Sequence, residues 1–331
     1  MDYRNLGRTG VKVTPLCLGC MNFGGRTEPD DAVAIINRAL DAGLNFIDTA
    51  NVYQRGRSEE VVGRALRDNG RRESVVLATK VYAPMDDDDP NMRGNQRRHI
   101  VQQCEASLKR LQTDWIDLYQ IHRPQSDIPI DETLRALDDL VRAGKVRYVG
   151  TSTFAAWQVV EALWVSKELG LNRFVTEQPP YHLLDRRIER ELVPMARTFG
   201  IGLIPWSPLA GGVLTGKYKR GQEPPAGARI RKNRRGELTE AAFDVVERAE
   251  KIAADKGCTV SQLALAWCMH QPGVTSPIIG PRTMEQLEDN LGALDVEVTD
   301  ADRESLDEVA TPGKAIADFY EADFGPHQYR L

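Results

Sequence analysis

The chain has 331 residues, 41% of them hydrophobic, and a formal charge of −5 from 43 Lys and Arg against 48 Asp and Glu. A net acidic chain argues against a nucleic-acid partner, which needs a basic face, and no apolar run approaches the roughly 20 residues of a bilayer span. Its start, Met1-Asp2-Tyr3-Arg4-Asn5, lacks a signal-peptide core, so the expectation is a soluble cytoplasmic protein, built as two ordinary domains or one large α/β barrel.

In chain order, residues 3 to 13 read as a hairpin, with strands Tyr3 to Leu6 and Val11 to Val13 around the turn Gly7-Arg8-Thr9-Gly10. Leu16 to Met21 is an apolar strand. Thr27 with Asp30 has the spacing of a capping box before Val33, Ile36 and Leu40, and Gly43 stops that helix. The strand Asn45 to Asp48 follows, with Tyr53 on the loop beyond it, then a helix with Ser58, Val61, Val62, Ala65 and Leu66 on one face and Gly70 past its end. Val75 to Lys80 is the third strand. The alternation continues through helix 97–111, strand Ile116 to His122, helix 131–143, strand Val146 to Ser152, helix 155–169, strand Phe174 to Gln178, helix 186–199 and strand Gly202 to Trp206. A Gly, Pro and Arg rich loop spans 207–238. Two helices, 239–256 and 259–270, then precede the last strand, Ser276 to Gly280, and helix 283–294.

Eight nearly continuous apolar strands, each followed by an amphipathic helix, imply a parallel sheet covered on both faces and closed into a (β/α)8 barrel. An open doubly wound sheet is the alternative, but no GxGxxG phosphate turn occurs in the chain. The expected organisation is one domain over 1–331: hairpin 3–13, barrel 14–294, and a C-terminal helix and tail 295–331. The tail carries Phe319, Tyr320, Phe324 and Tyr329 and reads as a cover for the barrel mouth or a contact with a neighbour. Asp86 to Asp89 and Arg231-Lys232-Asn233-Arg234-Arg235 read as exposed charge runs, the second able to help hold a phosphorylated ligand. Cys17 and Cys20 form a lone CxxC without a second pair or a His at ligand spacing, so no metal site is expected, and the scattered Cys104, Cys258 and Cys268 suit reduced thiols.

In such a barrel the carboxyl ends of neighbouring strands share one rim, which brings together Asp48, Tyr53, Lys80 and His122. Singly, each has an ordinary structural explanation. Together they suit carbonyl reduction, in which the oxygen needs a proton as hydride reaches carbon. A phenol is a weak acid near neutrality, but a Lys ammonium at about 4 Å favours the phenolate by about 4 kcal/mol at an effective dielectric of about 20, before desolvation reduces it. A carboxylate keeps the buried Lys charged, and a neutral His donates a hydrogen bond to the substrate oxygen.

On these residues the chain resembles the aldo-keto reductases over roughly residues 3 to 310. NFIDTANVY resembles the family's Asp and Tyr segment, LATK its Lys strand and DLYQIH its His strand. The resemblance implies a catalytic tetrad of Asp48, Tyr53, Lys80 and His122, and an extended NADP(H) bound across the rim without a Rossmann motif. Gly150-Thr151-Ser152-Thr153 and Glu177-Gln178 resemble the segments that hold the nicotinamide carboxamide, implicating Ser152 and Gln178; many members have Asn where Thr153 stands. Trp206 matches the aromatic residue against the nicotinamide face. Ser207, Leu209, Gly212 and Lys217 match the pyrophosphate loop. Gly280 and Arg282 match the site of the adenosine 2′-phosphate, which favours NADPH, with Gln286 and Asn290 for ribose and adenine.

The opening LGRTGVKVTPLCLG and the WSPLAGG loop resemble bacterial-type and potassium-channel β-subunit-like members. Substrate choice is expected from Met21-Asn22-Phe23, the span Tyr82 to Gln96 and the tail. Sugar aldehydes, keto-sugars and small xenobiotic carbonyls all stay open as substrates, and the oligomeric state is not written in the chain. A low-turnover NADP(H)-binding sensor or regulatory subunit is the alternative function, and a glycosidase using Asp48 and Glu177 as its carboxylate pair is a third.

Overall fold

The computed structural model describes residues 2–225, 228, 230 and 238–316. The basic run Arg231 to Arg235 and the aromatic residues Phe319, Tyr320, Phe324 and Tyr329 lie outside the described residues.

The hairpin forms as expected, with β1 (Arg4–Asn5) antiparallel to β2 (Lys12–Val13). Its side chains Leu6 and Val13 are fully buried against Cys17, Phe46, Ala78, Leu118, Val175, Ile204 and Ile278, an apolar layer drawn from the barrel strands. The hairpin therefore closes one end of the barrel, and its turn is tied down by Arg8 N donating to Gly200 O at 2.9 Å.

The barrel strands are β3 (Cys17–Gly19), β4 (Phe46–Asp48), β5 (Val76–Val81), β6 (Ile116–Ile121), β7 (Val146–Ser152), β8 (Phe174–Gln178), β9 (Gly202–Leu203) and β10 (Ile278–Ile279). All are parallel to their neighbours, and β10 pairs with β3, so the first and last strands meet. The remaining seam, between β9 and β10, is joined by a parallel bridge of Leu203 with Val274, by Thr275 N donating to Leu203 O at 2.7 Å and by Ile278 N donating to Pro205 O at 2.8 Å. The fold is a (β/α)8 barrel; an open doubly wound sheet leaves its outer strands unpaired.

Helices α1 (Pro29–Asp41), α2 (Arg57–Asn69), α3 (Arg97–Leu111), α4 (Ile130–Arg142), α5 (Ala156–Leu169) and α6 (Leu192–Phe199) alternate with the strands. They are followed by α7 (Glu240–Lys256), α8 (Val260–Met269), α9 (Met284–Leu291) and α10 (Asp300–Val309). Helices α3, α4, α5 and α6 pack on the strands β5, β7, β8 and β9 with apolar stripes, whereas α10 packs on α7. In α4, for example, Leu134, Leu137 and Leu140 are buried. Both α7 and α8 precede β10, which makes one helix additional to the repeat. Among the described residues no helix is long and apolar enough to cross a membrane.

Three local expectations are corrected. The first helix begins at Pro29, which suits the first helical position; its N-cap Glu28 makes no side-chain cap bond, and the Thr27 hydroxyl instead donates to Arg282 O at 3.1 Å. The expected helix 186–199 is split into a 3-10 turn (Arg187–Glu189) and the short α6. Its first residue, Arg186, is held by Glu189, by Asp307 at 2.5 Å and by Ala310 O at 2.6 Å, a tertiary anchor that overrides helical continuity. The helix expected over 283–294 ends at Leu291 and tightens into 3-10 geometry (Gly292–Asp295).

Gly63 in α2 marks where two helices touch: a Cβ there lies 2.5 Å from Arg110 O and 2.7 Å from Leu111 O of α3. Because those atoms are backbone, Gly63→Ala is expected to lower the unfolding free energy by about 1–3 kcal/mol. Urea titration reads this, and an unchanged midpoint contradicts the close α2–α3 approach.

Candidate active site

The carboxyl ends of β4, β5 and β6 place four polar side chains on one rim. Asp48 is the last residue of β4, Lys80 lies near the end of β5, and His122 follows β6 directly. Tyr53 opens a 3-10 turn (Tyr53–Gly56) in which Gln54 and Arg55 have φ of 51° and 53°. Non-glycine residues seldom adopt positive φ, and such strain is held only where surroundings fix it.

Lys80 is 0% exposed and Asp48 2% exposed, so both charges are buried in the barrel. The Lys80 ammonium forms an ion pair with Asp48 Oδ1, donates to Thr49 O at 2.9 Å and reaches the Tyr53 hydroxyl oxygen at 3.4 Å. Its three hydrogens thus have three acceptors. Asp48 Oδ2 accepts from Gln120 Nε2 at 3.0 Å and Gln178 Nε2 at 3.1 Å, so both carboxylate oxygens are occupied. Burial, the largest effect, pulls the Lys80 pKa down, but the charge of Asp48 and the bonds to Asp48 and Tyr53 carry it above the ordinary lysine value. Burial pushes the His122 imidazole well below its ordinary value, aided by the charges of Lys80 and Arg123. His122 is therefore neutral at neutral pH. Its ring lies edge-on to Tyr53, with centroids 5.7 Å apart.

This arrangement combines a phenol O–H next to an ammonium with a neutral imidazole beside it. It can deliver a proton to an oxygen and orient that oxygen by a hydrogen bond. Asp48 and Glu177 do not suit a carboxylate pair for glycoside hydrolysis: Asp48 is committed to Lys80 and two amides, while Glu177 is fully buried with Oε1 accepting from Phe154 N at 3.1 Å. Burial lifts the Glu177 carboxyl to about 8.

The sequence model of the aldo/keto reductase family matches residues 15–311. The chain belongs to the aldo/keto reductase family. It is 45% identical over 304 residues to "Uncharacterized oxidoreductase YrpG" of Bacillus subtilis (strain 168), covering 89% of this chain and 92% of that protein. It is also 40% identical over 303 residues to proteins named "Probable voltage-gated potassium channel subunit beta" in Oryza sativa subsp. japonica and in Arabidopsis thaliana, with 89% of this chain and 92% of each relative covered. The chain is accordingly an oxidoreductase of this family.

In this aldo/keto reductase the segments expected to hold a dinucleotide also lie after strands. Ser152 ends β7, and its hydroxyl donates to Gln178 O at 2.9 Å. Thr153 beside it has φ of 68°, a strained value for a β-branched residue, and its hydroxyl accepts from Arg123 Nη1 at 2.9 Å. Trp206 bridges to Pro180, and the Arg123 guanidinium lies 6.0 Å from the centre of its ring. Ser207 and Ala210 have φ of 58° and 50°, and Ser207 Oγ accepts from Gly211 N at 3.0 Å. Leu209 leads into the 3-10 turn (Ala210–Thr215). Gly212 has φ of 100°, and a Cβ there meets Lys217 Nζ at 2.7 Å, so glycine is what lets that ammonium lie against the turn. Gly280 and Arg282 precede α9, whose N-cap is Thr283. Gln286 Oε1 accepts from Arg282 N at 2.9 Å, and Asn290 is buried in the same helix. The Trp206 ring, the glycine turn with the Lys217 ammonium against it and an arginine just before α9 are residue types that fit an anionic dinucleotide.

Gln120 and Arg123 join the site although the family resemblance implies a role for neither. Gln120 had a signal: it is a polar residue in an apolar strand, two positions before His122 and hence on the same face. Arg123 follows a strand, where a charged residue carries no distinguishing pattern.

Asp48→Asn leaves a buried ammonium without its counter-charge, and about 3–5 kcal/mol of stability is expected to be lost. The double variant Asp48→Asn with Lys80→Met recovers most of this in denaturant titration; equal losses contradict a buried ion pair. Because the folded Lys80 value is raised above the ordinary 10.5, the pair's contribution is complete below that pH and falls as pH rises through the folded value.

Proposed function

We propose that the chain is an NADPH-dependent carbonyl reductase that converts an aldehyde or ketone to the alcohol, with Tyr53 as the general acid. The contact of one buried ammonium with both Asp48 and the Tyr53 hydroxyl carries this reading. A reduced nicotinamide, when bound, supplies the hydride. Lys80 stabilises negative charge on the Tyr53 oxygen as its proton leaves for the substrate oxygen, and Asp48 keeps Lys80 charged. Neutral His122 donates a hydrogen bond to the same substrate oxygen. Ser152, Gln178 and Trp206 hold the nicotinamide end. Ser207, Leu209, Gly212 and Lys217 hold the pyrophosphate. Gly280, Arg282, Gln286 and Asn290 hold the adenosine end, with Arg282 on the 2′-phosphate.

Loss of NADPH absorbance on adding a panel of aldehydes and ketones tests the activity. Tyr53→Phe is expected to lower kcat/KM by about 10²–10⁴ while leaving NADPH binding intact; a near wild-type rate removes Tyr53 as the acid. Arg282→Ala is expected to weaken NADPH by about tenfold more than NADH, a charge-assisted bond's worth, and equal losses defeat the 2′-phosphate assignment.

A second reading, a cofactor-binding regulatory subunit with little turnover, is favoured by the names of the rice and Arabidopsis relatives. Sustained multiple turnovers with any member of the panel exclude it. Tightly retained NADP(H) with less than one turnover supports it.

A further inference from the structure

Gln120 lies in β6, where alternation turns Leu118 and Gln120 to the barrel interior and Tyr119 and Ile121 to the outer packing. A primary amide that is 0% exposed is costly unless its polar atoms are paired. Gln120 Nε2 donates to Asp48 Oδ2 at 3.0 Å, and its Oε1 accepts from Gln178 Nε2 at 3.1 Å. The second hydrogen of Gln178 Nε2 goes to Asp48 Oδ2, also at 3.1 Å.

The orientation of both amides follows from one fixed acceptor. Asp48, as the counter-ion of Lys80, can only accept. It requires an NH2 from each glutamine, and the Gln120 oxygen then requires the remaining hydrogen of Gln178. Reversing Gln178 sets its oxygen against Asp48 Oδ2 and Gln120 Oε1, three acceptors facing one another. With both hydrogens engaged, the carbonyl oxygen is the part of the Gln178 amide left for a ligand.

We propose that Gln120 is a positioning residue that, with Asp48, fixes the Gln178 amide so that its carbonyl oxygen, and not its NH2, meets the carboxamide of a nicotinamide cofactor. The inference rests on the reading of Gln178 as part of the nicotinamide site and adds which of its atoms makes the contact and what holds it. A carbonyl oxygen accepts only from the NH2 of the carboxamide. The cofactor whose carboxamide is replaced by an acetyl group keeps an oxygen and loses that NH2, so it distinguishes the two polarities.

Equilibrium binding of NADPH and of its 3-acetylpyridine analogue, followed by tryptophan fluorescence, tests this without turnover. Wild type is expected to prefer the carboxamide form by about tenfold. Gln120→Met, which keeps the volume and removes both bonds, is expected to shrink that preference to about threefold or less. Damage that is merely structural weakens both ligands alike and leaves the ratio unchanged, which overturns the proposal. Binding of both forms with equal affinity by wild type overturns it without any variant, while the nicotinamide-site reading survives. Failure of wild type to bind either form overturns that reading and the proposal with it.

Discussion

A lysine ammonium held inside a barrel is the constraint on which the site depends. Desolvating such a charge costs several kcal/mol, and a partner repays it only with good geometry and full pairing. The topology supplies both: β4 pairs in parallel with β5, in the register Asp48 opposite Ala78, so that Lys80 two residues further on lies on the same rim. The ammonium is paired with a carboxylate, a backbone carbonyl and a phenol. Its counter-ion is in turn anchored by two amides from β6 and β8. The ion pair therefore draws on four of the eight strands, and the barrel has to close before the network is complete.

Backbone strain is gathered on the same side of the molecule. Among the described residues, the non-glycine residues with positive φ are Gln54, Arg55, Gln112, Thr153, Ser207 and Ala210. Gln112 caps the end of α3, where such a conformation is usual. The other five lie in loops that follow β4, β7 and β9, beside Tyr53, Ser152 and Trp206. Strain of this kind persists only where surrounding bonds over-determine it, as Arg123 does at Thr153. The opposite end is sealed by the apolar contacts of Leu6 and Val13 of the hairpin, with Arg4 Nη1 donating to Met269 O at 2.6 Å.

Much of this was legible in the sequence for physical reasons. Helix 97–111 and the strands 146–152 and 174–178 have the bounds expected for them, and in the helix a 15-residue amphipathic run leaves little choice of period. The meeting of Asp48, Tyr53, Lys80 and His122 followed once the strands were counted into a barrel. Less was legible where distant contacts decide: Arg186 leaves its helix for Asp307, more than a hundred residues away, and Thr27 turns from its cap to Arg282 O. The strained path of Ser207 and Ala210 has no propensity signature, since neither residue type favours positive φ. Only the closed sheet sets the partners of Gln120 on β4 and β8.

The central claim is that a charge sustained at Lys80 serves the proton transfer from Tyr53. The most direct measurement is the single-turnover rate of NADPH oxidation by Lys80→Met, followed by stopped-flow with saturating cofactor and a reactive aldehyde. The account predicts a rate at least about 100-fold below wild type, with NADPH still bound. A rate within about threefold of wild type, a difference of under about 1 kcal/mol in the barrier, contradicts it.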